Sequence, residues 1–391
     1  MSARLPSADW VSLAALEANP HPVHTRLRAE TPIAWVPALD GWLVTRRDAV
    51  NAAMRDDVGL TVDDPRFSTG RITGPSMLST DGDEHARHRA PFARPFRLDA
   101  IRERFTAIAA AEVEALIDGF ADDAEAELRT RLAGPLAARM MLVALGLDLR
   151  IEADILGWYA EIVDAVERIS AGAGPPQSGI EAYAAFGAAI DDALADATPD
   201  ASLLAAALGD ATALTRDELV ANAAVLLFGG VETTEGMIAN LLHHLLETDL
   251  LHAAAADPAL LDGAIEESLR MEPAAVRLDR YATAELQLGG VRIPRGDLVI
   301  LSLASANRDE AVFDDPDRFD PSRANARLHT TFATGPHVCL GMHLARLEAR
   351  AAISGLAARL PGLHADPARP SAPQGLVFRK PPAVWTAWPK A

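Results

Sequence analysis

The sequence predicts a mainly α fold with small β-sheets, and three observations carry that reading. Apolar residues recur at helical spacing from end to end of the 391-residue chain, β-type patterns are confined to short stretches near residues 33–45 and 286–301, and no low-complexity linker or internal repeat divides the chain. One large domain over residues 1–391 is therefore expected.

In chain order, short helices are expected at Trp10–Glu17 and Val23–Glu30, then strands Ile33–Val36 and Gly41–Thr45 of a small mixed sheet. From Asp99 to Leu147 the apolar period is helical, and helices continue over Ile151–Ile169 and Ile180–Leu194. Between these two lies Ser170–Gly179, rich in Gly and Pro, the clearest loop in the chain, readable either as a surface connection or as a moving lid. Thr215-Arg216-Asp217-Glu218 forms a capping box, and the apolar helix that it opens runs to Leu246, a length of roughly 45–50 Å. Beyond Arg280 strands are expected at Leu286–Leu288, Val291–Ile293 and Leu298–Leu301, separated by Gly289-Gly290 and Pro294-Arg295-Gly296. A last apolar helix spans Leu340–Leu360.

Composition excludes several classes of function. The chain is 49% hydrophobic but holds no run of about eighteen uninterrupted apolar residues, so no membrane association is expected. Its first residues lack an apolar signal core and its one cysteine cannot pair within the chain, which favours the cytoplasm. A net charge of −19 repels a phosphate backbone, so nucleic acid is not an expected partner. A single cysteine excludes an all-Cys iron–sulfur cluster, and no Gly-x-Gly-x-x-Gly strand–helix fingerprint for a flavin or nicotinamide is present.

That cysteine, Cys339, sits in Phe332-Ala333-Thr334-Gly335-Pro336-His337-Val338-Cys339-Leu340-Gly341. Gly335 and Gly341 let the backbone curl around the sulfur and approach a large planar group closely. A helix starting just after Cys339 would favour the thiolate, the form that binds metal. Taken alone, a lone cysteine near a helix start is a buried small hydrophobe. The ten-residue spacing, continuing to Leu344-Ala345-Arg346-Leu347-Glu348, instead resembles the haem-binding loop of the cytochrome P450 monooxygenases. Ala333 stands where a second glycine is usual, which is tolerated if its φ is negative.

Further motifs follow in the order the family has them. Gly229-Gly230-Val231-Glu232-Thr233-Thr234 lies midway along the long helix, where two glycines and a threonine pair invite a widened turn. Small residues there would equally allow close helix packing, but an acid beside hydroxyls suits proton transfer. The segment resembles the family's oxygen-binding groove, with Glu232 and Thr233 matching its acid–alcohol pair. Glu267 and Arg270, three apart on a helix, resemble the family's buried Glu-x-x-Arg pair, whose third member would be Arg318. His85 and Arg89, Arg280, and His337 match positions that neutralise the two haem propionates. His243-His244 reads as a solvated helix face.

The resemblance implies the family's triangular prism of helices with small sheets around a buried haem b, its iron ligated by Cys339 and its cradle including Gly229 and Phe332. It implies insertion of one atom of dioxygen into a small molecule by hydroxylation, epoxidation or O-dealkylation, in secondary metabolism or catabolism, with electrons from a separate ferredoxin or flavodoxin. Pocket positions relative to the matched motifs are Met77, Leu78, Val225, Phe228, Val276 and Val377, which suggest a compact hydrophobic substrate. Arginines collect in Arg94, Arg97, Arg102 and Arg104, and in Arg346 and Arg350; Arg97 and Arg346 are the expected contacts for an acidic donor. A monomer is expected. The alternatives are a haem-thiolate peroxygenase, which usually lacks the acid–alcohol pair, a non-catalytic haem sensor or carrier, which needs no proton relay, and a cysteine-nucleophile enzyme with His337 as its base.

Overall fold

The computed structural model describes residues 6–170, 174–195, 198, 202–209 and 214–389. The N-terminal part carries helices α1 (Leu13–Ala18), α2 (His21–Glu30), α3 (Arg47–Arg55), α4 (Ser68–Thr73), α5 (Gly82–Ala93) and α6 (Leu98–Asp118), with strands β1 (Ile33–Val36), β2 (Gly41–Val44), β3 (Leu60–Thr61) and β4 (Glu125–Glu127). The centre is helical: α7 (Gly134–Leu145), α8 (Glu152–Ser170), α9 (Gln177–Ala195), α10 (Leu203–Gly209) and α11 (Arg216–Glu247). Then follow α12 (Leu251–Ala256), α13 (Pro258–Met271), β5 (Arg277–Ala282), β6 (Leu286–Leu288), β7 (Val291–Ile293), β8 (Leu298–Ser302), α14 (Leu303–Ala306), α15 (Met342–Arg359), β9 (His364–Ala365) and β10 (Trp385–Ala387).

Helix α11 is the axis of the molecule. Its expected capping box is present: the Thr215 hydroxyl accepts from the Glu218 N–H while the Glu218 carboxylate accepts from the Thr215 N–H. Apolar residues on nearly every side of it join the largest core cluster, against α7, α13 and α15, as a helix crossing a domain requires. The main sheet has the order β1-β2-β8-β5-β3, with β2 and β8 parallel and the other pairs antiparallel. Its two faces carry separate cores, one with Val44, Val299 and Leu301 and one with Leu43 and Ile300, as period-two alternation dictates.

Three local expectations change. The helical stretch from Asp99 to Leu147 is broken: α6 stops at Asp118, Ala124 takes a φ of 63°, and β4 pairs with the distant β10 before α7 begins. The loop expected at Ser170–Gly179 is shorter, because α8 runs through Ser170 and α9 starts at Gln177; residues 171–173, where a lid would centre, lie outside the described residues. His243-His244 is not a solvated face. His244 is buried, stacks on Phe319 with ring centroids 5.0 Å apart, and shares a hydrogen bond with Ser268 of α13, so burial pulls it down to about 3.

Candidate active site

The loop before α15 is pinned from three directions. His85 on α5 donates through Nε2 to the Pro336 carbonyl (3.1 Å), Arg89 one turn on donates to the Val338 carbonyl (2.6 Å), and the Cys339 N–H donates to Phe332 (2.8 Å). Gly335 has a φ of 79°, and a Cβ there would sit 2.7 Å from the Met54 carbonyl of α3, so glycine is required. Ala333 has a φ of 58°, against the negative value expected for it. An alanine held in the left-handed region costs about 1–2 kcal/mol. Ala333→Gly should therefore raise stability by about 1 kcal/mol in thermal unfolding, an increase that a strain-free site would not give.

Helix α15 begins at Met342, with Gly341 as its N-cap, so Cys339 sits just before the helix N-terminus, as expected, and the Gly341 and Met342 N–H groups favour its thiolate. Burial pushes the Cys339 thiol up, against the Gly341 N–H and the Arg89 and Arg346 guanidiniums, which pull it down.

Four polar side chains converge beside this loop. The His85 and His337 ring centroids are 4.1 Å apart, and His337 Nε2 lies 2.7 Å from Asp81 Oδ1. Burial would raise Asp81, yet hydrogen bonds from His337, Thr61 and the Val62 N–H hold its carboxyl well below the usual range. Burial and the neighbouring His337 pull His85 down to about 4. Arg280, delivered by β5 opposite Val299, is buried and, among the described residues, donates only to the Asp279 carbonyl (2.9 Å). Neither Arg89 nor Arg280 has a carboxylate within 4.0 Å among the described residues, although burial depresses both guanidiniums. A buried guanidinium (Arg280) and a half-buried one (Arg89) without carboxylate partners suit an anion.

On α11, residues 219–227 are buried, yet Gly229 is exposed and a Cβ on it would meet nothing within 4 Å. The Thr233 hydroxyl donates back to the Gly229 carbonyl at 2.5 Å, an i−4 bond, while α11 stays α-helical through residues 229–234 without the widened turn expected there. Glu232 is not bonded to Thr233; its Oε1 accepts from Lys380 (2.8 Å).

The buried Glu267–Arg270 pair forms as expected (2.7 and 2.8 Å), but its third member is Arg323, whose Nε lies 2.9 Å from Glu267 Oε1. Arg318 is 65% exposed and pairs with Asp315 and Asp320 instead. Its backbone carbonyl accepts from Arg323, so the loop folds past Arg318 before an arginine can turn inward.

Of the expected pocket residues, Val225 and Phe228 line a small cavity with Thr69, Thr73, Tyr159 and Phe186. Met77 is buried and its N–H donates to Asn222 of α11 (2.8 Å), while Leu78 packs on the main core. Val276 lines a different cavity, beside His24, Leu43 and Ser302. Val377 is 37% exposed; its neighbour Phe378 packs edge-on, at 5.7 Å, against Phe228, which lines the pocket. A one-residue offset in extended chain exchanges the two faces.

Another grouping, Glu84, His88 and Glu218, could be mistaken for a metal centre. Asn222 Oδ1 accepts from Met77, so its Nδ2 faces His88 Nδ1 at 2.8 Å and donates to it. The His88 proton is then on Nε2, the atom facing the carboxylates, and Arg87 already bonds both acids.

The cytochrome P450 family profile matches residues 252–360. The chain is 34% identical over 372 residues to cytochrome P450 107B1 of Saccharopolyspora erythraea, covering 88% of each chain. The chain belongs to the cytochrome P450 family. It is also 33% identical to the vitamin D(3) 25-hydroxylase of Pseudonocardia autotrophica, over 88% of this chain and 87% of that one. The structure of cytochrome P450 CYP109Q5 from Chondromyces apiculatus superposes with a TM-score of 0.86 at 26% identity, covering 97% of this chain and 98% of that one. The expected prism fold is thereby shown. The protein is an oxidoreductase of the monooxygenase type, and its family uses a cysteine-ligated haem and, in bacteria, separate redox partners. The residues fit that cofactor: the side-chain-free surfaces of Gly229 and Gly341 leave room for a planar group, and the unpaired Arg89 and Arg280 suit its propionates. No helix among the described residues is long and apolar enough to cross a membrane.

Proposed function

We propose that the protein is a haem-thiolate monooxygenase in which Cys339 ligates the iron, His85, Arg89, Arg280 and His337 hold the propionates, and Thr233 with Glu232 moves protons. The observation that carries this reading is the convergence of the pinned Cys339 loop with two arginines, Arg280 buried and Arg89 half-buried, that lack carboxylate partners among the described residues. Bound haem would supply dioxygen activation at a thiolate-ligated iron.

The chain's own residues do the rest. Burial raises the Cys339 thiol, and the Gly341 and Met342 N–H groups with Arg89 partly oppose it, the contacts that would support sulfur as an anionic ligand. Asp81 orients His337 by accepting its Nε2–H. Thr233 keeps its hydroxyl at the Gly229 carbonyl, where it can be passed a proton and pass one on. Phe228, Val225, Phe186 and Ile162 exclude water from the cavity and favour a compact, largely apolar substrate, with Thr69, Thr73 and Tyr159 as its few polar contacts. The site lies in one 1–391 domain, acting as a cytoplasmic monomer.

Reaction under 18O-labelled dioxygen, with electrons from a ferredoxin and reductase, tests the class. One labelled atom should appear in product and the other in water. Product formation sustained by peroxide alone, and unlabelled under 18O2, would instead support the peroxygenase reading.

For the electron donor, the docking surface narrows to Arg97. Arg346 donates to both oxygens of the buried Glu266 (2.6 and 2.9 Å) and lies over the Phe332 ring, which makes it part of the loop's support. Arg97, at the N-terminus of α6, is exposed, and we propose that it meets an acidic ferredoxin or flavodoxin. Arg97→Glu should slow first-electron transfer severalfold at low salt and little at high salt, since screening shortens the reach of the charge. A rate indifferent to both mutation and salt would place the donor elsewhere.

A further inference from the structure

A second cavity, which shares no lining residue with the one at Val225 and Phe228, lies where the main sheet meets α1 and α2. Strand register builds its floor. Leu43 of β2 pairs with Ile300 of β8, and Ser302, two residues on, pairs with Arg277 of β5, so period-two alternation brings all four side chains to one face. Leu16 of α1 and His24 of α2 cover that face, and the half-buried Leu39 and Leu376 complete the apolar wall.

The polar groups of this cavity are donors. The Ser302 hydroxyl oxygen accepts from the Ser305 N–H (3.1 Å), which leaves its own hydrogen for His24 Nε2 (3.4 Å). The ring hydrogen of a neutral His24 then sits on Nδ1, which has no partner among the described residues although the side chain is only 5% exposed. Burial, with His21, Arg28, Arg379 and Arg308 nearby, holds His24 well below the usual imidazole range, so it is a neutral donor beside cations. Arg277 Nε also lacks a hydrogen bond among the described residues. Its contact with Asp279 is long, with Nη2 3.3 Å from Oδ2 and Nε 3.3 Å from Oδ1. Burial raises Asp279 against the pull of Arg277 and Arg280, which weakens it as a counter-ion. No described residue lining the cavity is acidic.

We propose that this cavity is a second ligand site, which takes the carboxylate of a short-chain monocarboxylic acid between His24 and Arg277 and lays its alkyl tail on Leu16, Leu39 and Leu376. The wall selects that class. Two nitrogen donors without acceptors, one of them on a cation, suit an anion with two oxygens to share between them. The apolar surround disfavours a second charge on the ligand, as a phosphate would bring. An alcohol would satisfy one donor and leave the guanidinium as it was. The cavity includes no residue of the Cys339 loop or of α11, so the proposal stands apart from the haem assignment.

The probes are hexanoate and hexan-1-ol, which share a tail and differ in the head group. Binding is measured by titration calorimetry on the ferric holoenzyme, alone and with clotrimazole, an imidazole bearing three aryl groups, filling the cavity at Phe228. One hexanoate should bind in both states. Arg277→Gln should weaken it by about tenfold or more, the margin of a charge-assisted hydrogen bond, and leave hexan-1-ol nearly unchanged. Arg277→Lys, which keeps the charge, should recover part of the loss. Leu376→Trp fills the cavity without touching a donor or the Arg277–Asp279 pair, so it decides the case even where Arg277→Gln does not fold; it should weaken both ligands. Absence of hexanoate binding, equal loss of both ligands in Arg277→Gln, or hexanoate affinity that survives Leu376→Trp overturns the proposal. Hexanoate binding that clotrimazole abolishes overturns it as well, since the acid then occupies the cavity at Phe228.

Discussion

Glu267→Ala should destabilise the protein by about 3–5 kcal/mol, the loss expected when one partner of a buried ion pair is removed and the others are left charged. Glu267 and Arg270 are both fully buried, and Arg323 is 8% exposed. The same carboxylate also accepts from the Asp320 N–H, so it ties α13 to the loop that leads toward Cys339. Arg270 carries the tie further by donating to the Asn307 carbonyl, and Asn307 in turn accepts from Thr330 at the start of the Cys339 loop. Arg323→Ala should cost stability in the same way. Arg318→Ala should stay within about 0.5 kcal/mol, since exposed pairs contribute little. Urea unfolding followed by helical circular dichroism separates the two arginines, and an equal loss from Arg318→Ala would contradict the network described here.

Thr233→Ala should leave substrate affinity nearly unchanged while lowering product formed per NADH by about a hundredfold, the lower end of what a positioned acid–base group contributes. The missing electrons should appear as hydrogen peroxide, one molecule from dioxygen, two electrons and two protons. Thr233 bonds within its own helix, and nothing else among the described residues depends on its hydroxyl, so the fold should not change. Thr233→Ser, which keeps the hydroxyl, should restore most of the coupling. Native coupling in Thr233→Ala would make the hydroxyl a packing group and remove it from the mechanism.

What the sequence revealed follows the range over which each constraint acts. The Cys339 loop was legible because glycines, cysteine and the following helix are contiguous, and their backbone demands are local. The capping box of α11 was legible for the same reason. Arg323 was not: which arginine of an irregular loop turns inward depends on how residues 314–323 fold back, and spacing from Glu267 says nothing about that. Val377 and Phe378 differ by one residue, and only the register of the bridge between Ala275 and Phe378 decides which faces α11. The pairing of Lys380 with Glu232 joins residues 148 apart in sequence, and no periodicity signals such a contact. His244 was misread because polarity was weighed above position: it follows Leu241 by three residues on a helix packed against α13. Ala333 failed differently, since the residue type argued for a negative φ and the loop imposed the opposite sign.

The role of Cys339 as iron ligand is the claim on which every other assignment at the site depends. Its most direct test is the absorbance spectrum of the reduced protein under carbon monoxide. The native protein should show the long-wavelength Soret band characteristic of thiolate ligation, and Cys339→Ala should lose it even where haem is retained. A native spectrum with only the shorter-wavelength band of a nitrogen-ligated haem, or a long-wavelength band that survives in Cys339→Ala, would contradict the assignment.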